Sequence, residues 1–254
     1  MTGTYLGGGG SEHDEAALWD EVFTPGQRVS VWPFAMPLGP ARTGSVQWLA
    51  GALRARGDFT LDPWGLDGAD TDCRAERLHR SDVVAIPGGN TFDLLHHLQR
   101  HDLLSALDGF LDRGGRVYGG SAGAVLLGAN IALAEVEDPD DAGVSDTRGL
   151  DRLAGAVVRP HYQPAQDDDL QQWAEAHQQV VLALPERSGV VVTGATARNV
   201  GPEAVQVFSP SGQRARPAGT TWDLRASRGH GAPRTVPGSA PPPHSSLVDP
   251  PRSR

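Results

Sequence analysis

The residues 119–123, Gly-Gly-Ser-Ala-Gly, place Ser121 in a G-x-S-x-G pattern. A strand-like run, 115–118, precedes it, and a small apolar run compatible with a helix, 124–129, follows. This is the strand–turn–helix setting in which a serine hydroxyl is lifted above the carboxyl edge of a sheet. A serine hydroxyl becomes a useful nucleophile only when a base takes its proton, and the base is usually a histidine oriented by a carboxylate. The first histidine after Ser121 is His161, in Arg159-Pro160-His161-Tyr162, just past another strand-like run. His177 falls in a polar helix, His230 and His244 fall near the end of the chain, and the other five histidines precede the serine. Between Ser121 and His161 lie Glu135, Glu137, Asp138, Asp140 and Asp141. Most of these must be solvated, and any one of them could turn inward to hold the imidazole. An oxyanion would meet the backbone N–H of Ala122 and a second donor from a glycine loop. Pro87-Gly88-Gly89-Asn90 supplies such a loop after a strand. A plain strand-to-helix turn capped by Asn90 is compatible with that role.

These groups must be positioned by a larger frame, and the chain alternates strand and helix signals. Strands are predicted at 4–6, 28–35, 58–61, 82–86, 115–118, 156–159 and 180–184, with a final meander over 189–192, 198–200 and 204–208. Helical patterns cover 15–19, 41–56, the segment with Phe92, Leu94, Leu95 and Leu98, and 103–113. Alternation of this kind implies an α/β fold, a doubly wound and mostly parallel sheet flanked by helices. Sites in such sheets lie beyond the carboxyl ends of strands, where Gly88, Gly89, Ser121 and His161 all fall.

Composition narrows the chemistry. The 254 residues include 32 Gly, 20 Pro and one Cys, and every Lys+Arg residue is Arg. The absence of lysine removes Schiff-base catalysis, Ser–Lys dyads and Walker-type phosphate loops. A single cysteine, Cys73, permits no internal disulfide or cysteine metal cluster and suits a reducing cytoplasm. The net charge is −9, and from residue 227 onward four Arg and one Asp give +3, leaving −12 on residues 1–226. So acidic a body speaks against nucleic acid as a partner. No basic-then-apolar leader is visible, and no apolar run approaches the ~18 residues of a membrane span. The expected organisation is one domain over 1–226 and a disordered Pro/Gly/Ser/Arg-rich tail over 227–254.

Pro-Gly-Gly-Asn-Thr-Phe at 87–92, Gly-Gly-Ser-Ala-Gly-Ala at 119–124, Asp-Thr-Arg-Gly-Leu at 146–150 and Pro-His-Tyr at 160–162 occur in one order. Together with Tyr5-Leu6-Gly7-Gly8-Gly9-Gly10 and Ala183-Leu184-Pro185-Glu186, they resemble the peptidase E (aspartyl dipeptidase)/cyanophycinase family of serine peptidases over about residues 4–224. The resemblance implies a fold like class I glutamine amidotransferase domains (flavodoxin-like), with serine in place of their elbow cysteine. It implies Ser121 as nucleophile, His161 as base and an oxyanion hole from Gly88 or Gly89 and Ala122. For the acid it points to Asp138, 17 positions after the serine, with Glu137 next. It implies no cofactor and no metal, and a short peptide substrate such as an N-terminal aspartyl dipeptide. A homodimer is compatible with this reading. Hydrolysis of aspartyl–arginine polymers is the alternative within the family. A non-catalytic binding protein on the same fold is the alternative from another class. Amidotransferase chemistry needs a thiolate at the elbow, and Cys73 is distant in sequence.

Overall fold

The chain runs β1 (Gly3–Gly7), α1 (Ala16–Val22), β2 (Arg28–Val31), α2 (Pro40–Arg54), β3 (Thr60–Pro63), α3 (Arg74–His79), β4 (Val83–Ile86), α4 (Thr91–Arg100), α5 (Leu103–Asp112), β5 (Arg116–Gly120) and α6 (Ala122–Leu126). A 3-10 turn, Ala132–Val136, leads to β6 (Val157–Arg159), α7 (Asp167–His177), β7 (Val181–Ala183), β8 (Gly189–Thr193), β9 (Thr196–Asn199), β10 (Val205–Ser209), β11 (Gly212–Arg216) and β12 (Thr221–Asp223). This computed structural model describes residues 3–66 and 74–226. Cys73 and the tail expected at 227–254 lie outside the described residues.

Eight strands form the main sheet in the order β12-β9-β8-β1-β5-β4-β2-β3. The pairs from β1 through β3 are parallel, and β8, β9 and β12 add an antiparallel wing. Alternation along the strands divides the core in two, because successive side chains point to opposite faces. Val83 and Ala85 join Val29, Val31 and Tyr118 under α1 and α2, packed by Leu18, Trp19, Leu49 and Leu53. Val84 and Ile86 join Leu6 and Val117 on the other face, under α4, α5 and α6. Both faces of β4 are therefore dry, as its unbroken run of apolar residues requires.

The predicted frame needs one correction. The strands at 157–159 and 181–183 do not extend the main sheet, and the 205–209 strand does not close a meander with 189–193 and 196–199. Instead β11-β10-β7-β6 form a second, four-stranded sheet. Its inner face (Val158, Leu182, Leu184, Val205 and Val207) joins the core beneath α4–α6. Its outer face (Val157, Val181, Ala183 and Phe208) takes Leu170 and Ala174 of α7. Alternating apolar positions reveal a half-buried strand but not which sheet it joins. The helix after Ser121 also starts two residues earlier than its apolar run, at Ala122.

Candidate active site

Strand β5 delivers the serine, and the turn that follows is tight. A Cβ on Gly119 would stand 2.5 Å from the Gly123 carbonyl carbon, and one on Gly123 would stand 2.2 Å from the Ile86 carbonyl oxygen. Only glycine permits β5, β4 and α6 to approach so closely. Ser121 takes up the resulting reversal at φ 50 and ψ −112. A non-glycine residue at positive φ stores strain, and such strain clusters at functional turns. Gly88 abuts the serine, since a Cβ there would lie 3.1 Å from Ser121 Cβ and 3.5 Å from Oγ. Asn90 caps α4, its Oδ1 accepting the Asp93 N–H at 2.9 Å.

His161 arrives from the second sheet rather than from the main one. Parallel pairing of Arg159 with Ala183 is prolonged by the Leu184 N–H donating to Arg159 C=O (2.8 Å) and the Tyr162 N–H to Leu184 C=O (3.1 Å). That register carries His161 alongside residues 184–186. The Ser188 N–H and hydroxyl both donate to Pro185 C=O, at 3.0 and 2.7 Å, and fix the turn beyond β7. His161 Nε2 lies 2.9 Å from Ser121 Oγ, and Nδ1 lies 3.0 Å from Glu186 Oε1. A carboxylate only accepts, so its contact places the ring proton on Nδ1 and leaves Nε2 free to accept from the serine.

The two acids favoured from sequence are engaged elsewhere. Asp138 Oδ2 accepts the Thr91 N–H at 2.9 Å, at the start of α4, and the neighbouring Pro139 C=O accepts from Asn90 Nδ2 at 2.8 Å. Glu137 Oε1 accepts from Arg159 Nη2. The carboxylate on the imidazole is instead Glu186, and counting from the serine does not reveal it. Two signals were available: Glu186 ends the family-like segment Ala183-Leu184-Pro185-Glu186, and it stands three residues past a strand, β7.

A cavity of about 270 Å³ opens beside this group, with Ser121, His161, Thr91, Asp138, Glu137 and Arg159 in its wall. Gly89 lines it as well. Two larger hollows, of about 610 and 430 Å³, lie away from Ser121. The larger contains Ser81 and His79, but Ser81 Oγ is bonded to Ser30 and to the Arg77 carbonyl, not to that histidine. Among the described residues no three His, Cys, Asp or Glu side chains converge as a metal-ligand set. None of the described helices is long and apolar enough to cross a membrane.

The glycine loop after β1 closes the site from behind. The His161 N–H donates to Gly8 C=O at 2.8 Å. Gly9 has φ +96, and a Cβ there would stand 2.3 Å from His161 Cε1. Gly9→Ala should therefore displace the imidazole and lower kcat by about 10²-fold, as misplacement of a reacting group by roughly 1 Å does. The thermal midpoint should fall by about 2–12 °C, the shift that local strain of about 1–3 kcal/mol entails in a chain of this size. Equal kcat in the two proteins would show that the loop does not set the ring's position.

Residues 67–200 match the profile of peptidase family S51. A peptidase E from Actinobacillus pleuropneumoniae serotype 5b is 27% identical over 144 residues, covering 52% of this chain and 59% of that protein. The match thus spans little more than half of that relative's length. A Drosophila melanogaster protein named probable alpha-aspartyl dipeptidase is 27% identical over 193 residues, covering 68% of this chain and 79% of that one. Among solved structures, a protein assigned to peptidase E from Listeria monocytogenes EGD-e superposes with a TM-score of 0.67 at 20% identity, covering 79% of this chain and 98% of that one. A peptidase from an acI-B1 Actinobacterium superposes at 0.61 and 16% identity, covering 88% and 97%. Likeness at that identity establishes the shared fold.

Proposed function

The chain belongs to peptidase family S51, and from that premise we propose that it is a serine-type exopeptidase acting on short peptides through an acyl-enzyme on Ser121. The observation that carries the reading is the relay from Ser121 Oγ through His161 to Glu186, with contacts of 2.9 and 3.0 Å. In the first half-reaction His161 Nε2 takes the hydroxyl proton as Oγ attacks the scissile carbonyl carbon. Glu186 holds the imidazole and stabilises the imidazolium that forms. Charge on the tetrahedral oxygen is met by the N–H groups of Ala122 and of Gly88 or Gly89. Nε2 then returns its proton to the leaving amine. In the second half-reaction a water loses its proton to His161 Nε2 as it attacks the acyl carbon, and Nε2 passes that proton to Ser121 Oγ as the ester bond breaks and the acyl group leaves.

The size of the cavity suits one or two residues rather than a folded chain. The proposed substrates include N-terminal aspartyl dipeptides, met in the cytoplasm. Arg159 is 4% exposed, lines the cavity, and has an Nε without a hydrogen-bond partner. It is the group that would receive a substrate carboxylate. Glu137 already partners it, so the preference for Asp-Leu over Ala-Leu should be nearer tenfold than the 10⁴-fold or so of an uncompensated polar site. Incubation with Asp-Leu, Glu-Leu and Ala-Leu, followed by assay of free amino acids, tests both points. Release from at least one dipeptide is expected. Release from none, by folded protein, would remove the exopeptidase reading and direct attention to branched or longer substrates.

A further inference from the structure

The glycine loop that backs His161 is tied to the strand that carries Ser121 by one buried side chain. Glu15, 2% exposed, stands just before α1. Its Oε1 accepts the Gly9 N–H at 2.8 Å. Its Oε2 accepts the Tyr118 hydroxyl at 2.7 Å and the Trp19 indole N–H at 3.3 Å. Tyr118 lies on β5, three residues before Ser121. Gly9 lies against the His161 ring, Gly8 C=O takes the His161 N–H, and Gly10 packs on the Glu186 carbonyl, which a Cβ there would approach to 2.4 Å. Both halves of the relay therefore rest on elements that Glu15 joins.

A carboxyl group is an expensive means of packing. Burial of a charge is unfavourable unless donors replace its water, and an apolar side chain of similar volume would fill the space at lower cost. The hydrogen-bond partners of the Glu15 carboxyl group are N–H and O–H donors, with no guanidinium among them. Burial pushes the carboxyl up to about 7, and the hydrogen bonds from Tyr118, Gly9, Trp19 and Gly10 act against that rise. A side chain kept under these conditions at the junction of two catalytic segments suits alignment better than bulk stability.

We propose that Glu15 is a positioning residue that fixes the Gly7–Gly10 loop to β5 and so sets His161 against Ser121. The proposal rests on the serine-hydrolase reading above. It is tested on the full chain by the rate at which a fluorophosphonate labels Ser121, together with kcat, KM and the thermal midpoint, for wild type, Glu15→Gln and Tyr118→Phe. Glutamine keeps the volume but presents an amide N–H₂ to donors that need an acceptor. Glu15→Gln should lower the labelling rate and kcat by about tenfold, part of the roughly 10²-fold available from a 1 Å misplacement. KM should stay within about twofold, because no substrate contact is removed. Tyr118→Phe removes one hydroxyl, leaves the carboxylate, and should lower the labelling rate by about threefold. A lower midpoint with an unchanged labelling rate would make Glu15 a packing residue only and overturn the proposal. If Glu15→Gln fails to fold, an unchanged rate in Tyr118→Phe overturns it equally. A wild type that is not labelled at all is a different pattern, in which the serine-hydrolase reading fails and takes the inference with it.

Discussion

Ser121→Ala should abolish peptide hydrolysis to within about 10⁻⁴–10⁻⁶ of the wild-type kcat, the largest effect expected of any single change in this chain. The magnitude follows from what the hydroxyl does. Without Oγ no acyl-enzyme forms, and His161 can at best deprotonate a water that the site was not shaped to hold. What survives in such knockouts is the residual of substrate binding and the oxyanion hole, about 10³–10⁴ over water. The substitution is also mild for the fold. Alanine at φ 50 carries the same backbone strain as serine, and Ser121 Oγ makes its hydrogen bond to His161, whose ring keeps Glu186 as a partner. The midpoint of thermal unfolding should thus move by no more than a few degrees while activity disappears. A kcat/KM for any cleaved dipeptide within tenfold of wild type would rule out Ser121 as the nucleophile.

Short-range grammar makes part of this site legible in the sequence alone. Gly119, Gly120 and Gly123 around Ser121 announce a turn that only small residues can make, and β5 and α6 flank it in the expected order. Gly88 was readable for the same reason, as a glycine after the buried strand Val83–Ile86. His161 was legible because few histidines follow the serine, although the strand that presents it belongs to the smaller sheet. Glu186 was not legible as the imidazole's partner, and the reason is topological. Its nearness to His161 depends on parallel pairing of β6 with β7, two strands separated by α7. No local pattern encodes which strand a given strand will pair with, whereas an acidic cluster between serine and histidine is conspicuous in the sequence. Glu15 was hidden for a similar reason. It reads as the polar start of a helix, and only the fold brings Tyr118, 103 residues away, to its carboxyl group.

The same topology sets the second large effect, a comparison between two acids. Glu186→Gln should lower kcat by about 10²–10³-fold, and Asp138→Asn should lower it by less than tenfold. Loss of the oriented carboxylate costs about 10⁴-fold where that group is buried, because the amide can hold the wrong tautomer and carries no charge to stabilise the imidazolium. Glu186 has a side chain 59% exposed, so water screens part of that interaction and the loss should sit lower. Asp138 serves a different element. Its Oδ2 accepts the Thr91 N–H at the start of α4, and asparagine can still accept that bond while losing only the favourable charge at a helix N-terminus, about 0.3–1 kcal/mol. Because Asp138 also lines the cavity, its effect should fall on KM rather than kcat. Steady-state kinetics of the two variants on one dipeptide decide the matter. If Asp138→Asn were as inactive as Ser121→Ala while Glu186→Gln remained near wild type, the carboxylate that serves His161 during turnover would be Asp138. If the order is as expected, the acid is supplied by the turn that follows the strand paired with the histidine's own, and the active site is a product of how the two sheets meet.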